Sequence, residues 1–276
     1  MNKLKTAFPS HGRDGRLAFA EPSYSSPPPE PSLLARLFPA LYFYAQAVAT
    51  VHSASYRINA GRYSDDEWVT SSRTIAALVE KTGGRLELEG LDVLHSLKEP
   101  CLFIGNHMST LETFLIPCII HRWRPVTFVI KKGLDTYPVF GPLMRWCDPI
   151  IVGRANPRED LSTVMEEGMK RLQRGISVVI FPQSTRMTHF DPTKFNTIGI
   201  KLAKKAGVPV IPMALRTDFW GNGKLVKDFG PVRTDHTVHI RFGEPLTLNG
   251  NGKAEHAAIM DFITGSLAEW DVPVLA

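Results

Sequence analysis

"CLFIGNHMSTLETFLIP", residues 101–117, passes within a few residues from a strand to a helix. Its start, CLFIGN, is an unbroken apolar run of the length expected for a strand buried on both faces. Residues 110–121 have the spacing of an apolar helix. Between the two elements stand His107 and, five residues on, Glu112. On one ideal helix this pair would point about 140° apart and could not meet. The two meet only if His107 lies in a turn before the helix and Glu112 in its first turn. Ser109 supplies that stop: STLE is a capping box, with Ser109 as N-cap and Glu112 at the third helical position. Two roles are then open to Glu112. It can cap the Ser109 N–H and do nothing more. It can also hold one nitrogen of a neutral imidazole while the other takes a proton from a hydroxyl.

Outward from this junction the chain alternates. Strand-like runs fall at 86–90, 101–106, 126–131, 149–154, 177–182, 208–215 and 237–243. Helix-like runs lie between them at 110–121, 138–146, 159–174 and 196–206, with a last one at 255–270. This pattern predicts an α/β domain over 83–276, with a mostly parallel central sheet flanked by helices. Ligands of such sheets bind beyond the carboxyl ends of the strands, where His107 should lie. Pro209 and Pro212 place the 208–215 strand near an edge or at a bend.

Before this domain, residues 1–31 end in EPSYSSPPPEPS and read as a disordered Pro-rich tail. Residues 32–82 read as a helical, membrane-associating region. Leu37 to Val51 is 15 residues without a formal charge, short of the roughly 20 that a spanning helix needs. Leu34, Leu37, Leu41, Ala45, Val48 and Val51 form one stripe, with Arg36, Gln46, Thr50 and Ser53 away from it. Tyr42, Phe43, Tyr44 and Tyr56 suit an interface, so a helix lying in the membrane plane fits better than a span; a core helix has the same periodicity.

The composition, 43% hydrophobic and 21% charged, is that of a globular protein. A net charge of +5 suits a phosphate-bearing or anionic-lipid partner. There is no G-x-G-x-x-G, no P-loop and no aromatic–basic interleaving, so a nucleic-acid partner is not expected. Cys101, Cys118 and Cys147 have no metal-ligand spacing and read as buried thiols.

Four ordered segments carry a resemblance: GNHMSTLE (105–112), residues 128–154, FPQSTRMTHF (181–190) and AKKAGVPVIPMAL (203–215). Over about residues 86–245 they resemble the glycerolipid acyltransferase family typified by 1-acylglycerol-3-phosphate acyltransferase. That family's first block is a histidine and, five residues on, an aspartate; Glu112 stands in the aspartate's place. In the second block Lys131 or Lys132, Leu134, Pro138, Gly141 and Arg154 match, with Gly133 where a glutamate is usual. In the third, Phe181, Pro182, Thr185 and Arg186 match, while Gln183 and Ser184 replace Glu and Gly. The resemblance implies His107 as general base and Glu112 as its orienter. It places the acceptor against Lys132, Arg154, Gln183, Ser184, Thr185 and Arg186, with the arginines on its phosphate. Backbone N–H groups of the 107–110 turn are the expected oxyanion donors. Acyl-CoA or acyl carrier protein would be the donor co-substrate, with no metal or other cofactor. The implied setting is the cytoplasmic face of a membrane with anionic lipid. The departures at Gln183 and Ser184 leave two alternatives: another acceptor such as a lyso-aminolipid, or a non-catalytic lipid-binding member.

Overall fold

A computed structural model describes residues 22–183 and 185–275. In chain order its elements are β1 (Ser23–Ser25), α1 (Leu33–Leu37), α2 (Pro39–Asn59), α3 (Asp65–Lys81), β2 (Leu86–Glu89), α4 (Asp92–Ser96), β3 (Leu102–Gly105) and α5 (Leu111–Ile116). A π-helical turn, Pro117–His121, follows α5. Then come β4 (Val126–Lys131), α6 (Gly141–Trp146), β5 (Ile150–Val152), α7 (Pro157–Gln173), β6 (Ser177–Ile180), α8 (Ile198–Ala206), β7 (Val210–Arg216), β8 (Val238–Phe242) and α9 (Lys253–Glu269).

The strands form one sheet in the order β1-β2-β8-β7-β3-β6-β4-β5. Pairing is parallel except at β1–β2 and β7–β8. Alternation along the strands splits the core in two. Phe103 of β3 packs with α2–α5, whereas its neighbours Leu102 and Ile104 pack with α7–α9. Helix α2 shares the first core through Phe43, Ala47 and Val51.

Two local expectations are corrected, and the face of the N-terminal helices is now assigned. Residues 1–21 of the expected tail lie outside the described residues, but Ser23–Ser25 is an edge strand paired with Glu87–Glu89. Strand β7 is interior, between β3 and β8, despite Pro212. The β7–β8 register starts at Met213, so the N–H that Pro212 lacks falls just past that ladder, and only its carbonyl is used, by the Gly243 N–H at 2.9 Å. The apolar stripe of α1–α2 faces away from the protein: Leu34, Leu37, Leu41, Ala45 and Val48 are exposed and only Val51 is buried. The buried face is Phe43, Ala47, Val51, Ala54 and Ser55. Among the described residues, no helix is long and apolar enough to cross a membrane.

The helix expected at 110–121 breaks because Pro117 has no N–H to continue the ladder. Ser72 of α3 fills the break. Its hydroxyl donates to the Phe114 carbonyl and accepts the Cys118 N–H at 2.9 Å, standing in for the missing i to i−4 bond. Ser72→Ala orphans both buried groups and should destabilise the protein by about 1–3 kcal/mol in urea unfolding.

On β8, His239 stacks on Trp270 with ring centroids 4.8 Å apart. Burial, reinforced by Arg216, lowers its pKa from 6.5 to about 4. Between those values the unfolded chain binds the proton and the folded protein does not. The neutral ring's contribution to stability is therefore complete above pH 6.5 and is lost as pH falls towards 4. The melting temperature should drop across that window, and His239→Gln should reduce the drop.

Candidate functional site

The chain leaves β3 towards β4 and β5, returns through β6 on one side of β3, and places β7 on the other. The carboxyl ends of β6, β3 and β7 therefore meet, the position where open α/β sheets bind ligands. Gly105 ends β3 because β7 lies against it: a Cβ there would come within 2.7 Å of the Met213 carbonyl oxygen. Asn106 ties the two strands at its carboxamide, donating to Leu215 O at 2.7 Å and accepting from Leu215 N at 2.8 Å.

His107 follows in the turn. Its Nδ1 lies 2.6 Å from Glu112 Oε2. A carboxylate can only accept, so Nδ1 carries the hydrogen of this contact, and in the neutral imidazole Nε2 is the nitrogen with the free lone pair. Fully buried Glu112 also accepts with Oε1 from Met108 N at 2.6 Å, Ser109 N at 2.9 Å and Thr217 Oγ1 at 2.8 Å. Both contacts expected from the sequence thus coexist, the imidazole on Oε2 and the Ser109 N–H on Oε1. The capping box is only half formed. Ser109 Oγ accepts from Leu111 N at 3.1 Å and donates to Thr217 O at 2.8 Å. Phe181 stacks on the imidazole, 4.5 Å away and within 6° of parallel.

This turn uses its own amides. The N–H groups of Met108 and Ser109 go to Glu112, and that of His107 to Gln183 Oε1 at 3.0 Å. Three of the four expected oxyanion donors are engaged in holding the turn. Gln183 is likewise buried scaffold, not a wall of the site.

Beside His107 opens a cavity of about 610 Å³. Lys131, Arg154, Thr185, Arg186 and Lys227 give it a polar end; Ala47, Val48, Val51, Phe114, Leu134 and Met144 give it apolar walls. Lys131, not Lys132, lines it. Lys132 is exposed and pairs through its backbone N–H with Val152 O at 2.8 Å. Ser184 lies outside the described residues. Arg154 has a left-handed backbone, φ 61°. Asp160 in the first turn of α7 holds it there, accepting the N–H groups of Gly153 and Arg154, each at 2.9 Å. Burial pulls the Arg154 pKa below its usual value; Asp160 opposes this and nearby Arg186 adds to it. Arg186 donates to Thr110 Oγ1 and, at 2.8 Å, to Asp228 Oδ1. Thr110 Oγ1 donates to the same Asp228 oxygen at 2.9 Å.

Sequence reasoning missed Thr217, Phe181 and Asp228 as parts of the site. The one available signal was positional: Thr217 follows the end of a strand-like run, and Phe181 lies in the last two residues of another.

The fold matches the crystal structure of the 1-acyl-sn-glycerophosphate acyltransferase PlsC from Thermotoga maritima, with a TM-score of 0.61 at 19% identity over 84% of this chain and 95% of that one. The two chains share one α/β fold. A family model described as Acyltransferase matches residues 85–216. The 1-acyl-sn-glycerol-3-phosphate acyltransferase of Pseudomonas aeruginosa is 30% identical over 171 residues, 62% of this chain and 62% of that protein. Its counterpart from Cocos nucifera is 28% identical over 163 residues, 55% of this chain and 51% of that protein. Residues 85–216 belong to the acyltransferase family of the 1-acylglycerol-3-phosphate acyltransferase-like kind. The chain spans less than two thirds of the length of these curated relatives.

Proposed function

We propose that the chain transfers a fatty acyl group from a thioester, acyl-CoA or acyl carrier protein, to the free hydroxyl of a lysophospholipid such as 1-acylglycerol-3-phosphate. One observation carries this reading: the His107–Glu112 pair borders a single cavity lined by both cationic and apolar side chains. Lysophospholipid has the same two-part chemistry.

In this reading the acceptor's phosphate lies against Lys131, Arg154 and Arg186, where planar guanidinium groups suit two-point contact with phosphate oxygens. The acyl chains lie along α2 and α5. Nε2 of His107 takes the proton of the acceptor hydroxyl as its oxygen attacks the thioester carbonyl. Glu112 stabilises the imidazolium and fixes its tautomer. The tetrahedral intermediate expels the thiolate, which takes the proton from Nε2. What supports a bilayer-surface setting is the outward display of Leu33, Leu34, Leu37, Phe38 and Leu41 on α1–α2.

The test is incubation of the purified chain with a mixed lysolipid pool and either acyl donor, followed by mass spectrometry. The expected result is one class of diacyl product with matching release of thiol. Binding of lysolipid with no thioester consumed would leave a lipid-binding protein and overturn the reading.

A further inference from the structure

The segment after β7 returns to β8 through a protruding hairpin. Trp220 bridges Val232, and the Gly221 N–H donates to Pro231 O at 2.9 Å. Further out, the Gly223 N–H donates to Lys227 O at 3.1 Å and the Phe229 N–H to Val226 O at 3.0 Å. The turn is tight: a Cβ on Gly223 would come within 2.1 Å of Val226 O. Its base is fixed to α2, where Tyr44 donates to Gly230 O at 2.7 Å and packs at a tilt against Phe229, ring centroids 5.3 Å apart. Hydrogen bonds thus hold the hairpin while its tip stays bare. Leu225 is 101% exposed, with Val226 and Phe229 also exposed beside it.

The charge of the hairpin divides by side. Lys224 is exposed beside the tip. Asp228, the hairpin's one acid, is turned inward onto Arg186. Lys227 donates to Thr185 Oγ1 at 2.7 Å. Outward it shows apolar side chains and positive charge; inward it holds the cationic end of the cavity. Phe229 and α2 residue Val48 line that cavity and are themselves exposed, so the hairpin and α2 both border its opening.

We propose that the 222–229 hairpin is a second membrane contact, whose tip, Leu225 and Val226, enters an anionic phospholipid bilayer with Lys224 at the headgroups. This rests on the bilayer-surface setting proposed above. Apolar tips flanked by lysine have the chemistry of interfacial anchors, and anionic lipid attracts each nearby cation. The occupant is a bilayer rather than a protein surface because the hairpin that carries this tip also lines, through Lys227, Asp228 and Phe229, the cavity into which lipid would pass.

The test needs no enzymatic activity, so its failure is separable from failure of the proposed reaction. Cys101, Cys118 and Cys147 are buried, so Leu225→Cys in the full chain offers one exposed thiol for an environment-sensitive fluorophore. Vesicles of phosphatidylcholine and phosphatidylglycerol (3:1) should blue-shift its emission, and lipids brominated in the acyl chain should quench it. In the unlabelled chain, Leu225→Ser with Val226→Ser should lower partition into these vesicles about tenfold or more with the melting temperature unchanged. An unshifted, unquenched label, or partition unaltered by the double substitution, would overturn the proposal. So would a label that responds to protein concentration and not to vesicles, which would make the tip a contact between copies of the chain.

Discussion

Purified His107→Ala should transfer acyl groups to lysolipid about a thousandfold more slowly than the parent, within the range usual for loss of a general base. Alanine also removes the ring from Phe181 and leaves Glu112 Oε2 without its partner, so some stability should go with it. His107→Asn separates the two effects. Its amide can still donate towards Glu112 but cannot take a proton. It should melt close to the parent and remain as inactive as the alanine variant. Activity of His107→Asn within a few-fold of the parent would remove the imidazole from the chemistry.

The second large effect is expected at Glu112, and it depends on which of its atoms is altered. In Glu112→Gln the carbonyl oxygen can still accept from Met108 N, Ser109 N and Thr217 Oγ1, the three donors now on Oε1. The new NH₂ then faces Nδ1 of His107. Two donors cannot share that contact, so the ring adopts the other tautomer, with hydrogen on Nε2 and no lone pair for the acceptor. Turnover should fall about 10²–10⁴-fold while the melting temperature moves little. Glu112→Asp keeps the charge and both oxygens and should retain at least about a tenth of the parent rate, the reach of one methylene being its only loss. If Gln and Asp instead reduce turnover equally, and only in proportion to lost folded protein, Glu112 is a cap and no more.

Much of this arrangement was legible because it is local. The buried strands are unbroken apolar runs, and the strand–turn–helix around His107 and Glu112 is written within twelve residues. What was not legible comes from afar or turns on a single residue of register. Thr217 lies 105 positions from the carboxylate it supports, and Asp228 lies 42 from Arg186; only the strand order brings them together. Lys131 and Lys132 differ by one step at the end of β4, and successive strand residues point to opposite sides. The stripe on α1–α2 has the right period, but periodicity does not say whether an apolar face meets a core or the outside. The prolines of the 208–215 run misled because what matters is where each missing N–H would point, which a strand assigned without neighbours cannot tell. Ser23–Ser25 escaped notice because an edge strand needs only backbone partners and little apolar content.

The lining of the cavity comes from two lengths of the chain. Ala47, Val48 and Val51 come from α2, whereas the region matched to the family model begins at residue 85. The acid–imidazole turn and the α2 part of the lining thus lie on separate lengths of the chain. Under the proposed activity, bulk added at Val48, which is exposed and lines the cavity, should retune fatty-acid length preference without disturbing any bond to His107 or Glu112. Such an enzyme can change its diet by exchanging a helix while its chemistry stays fixed.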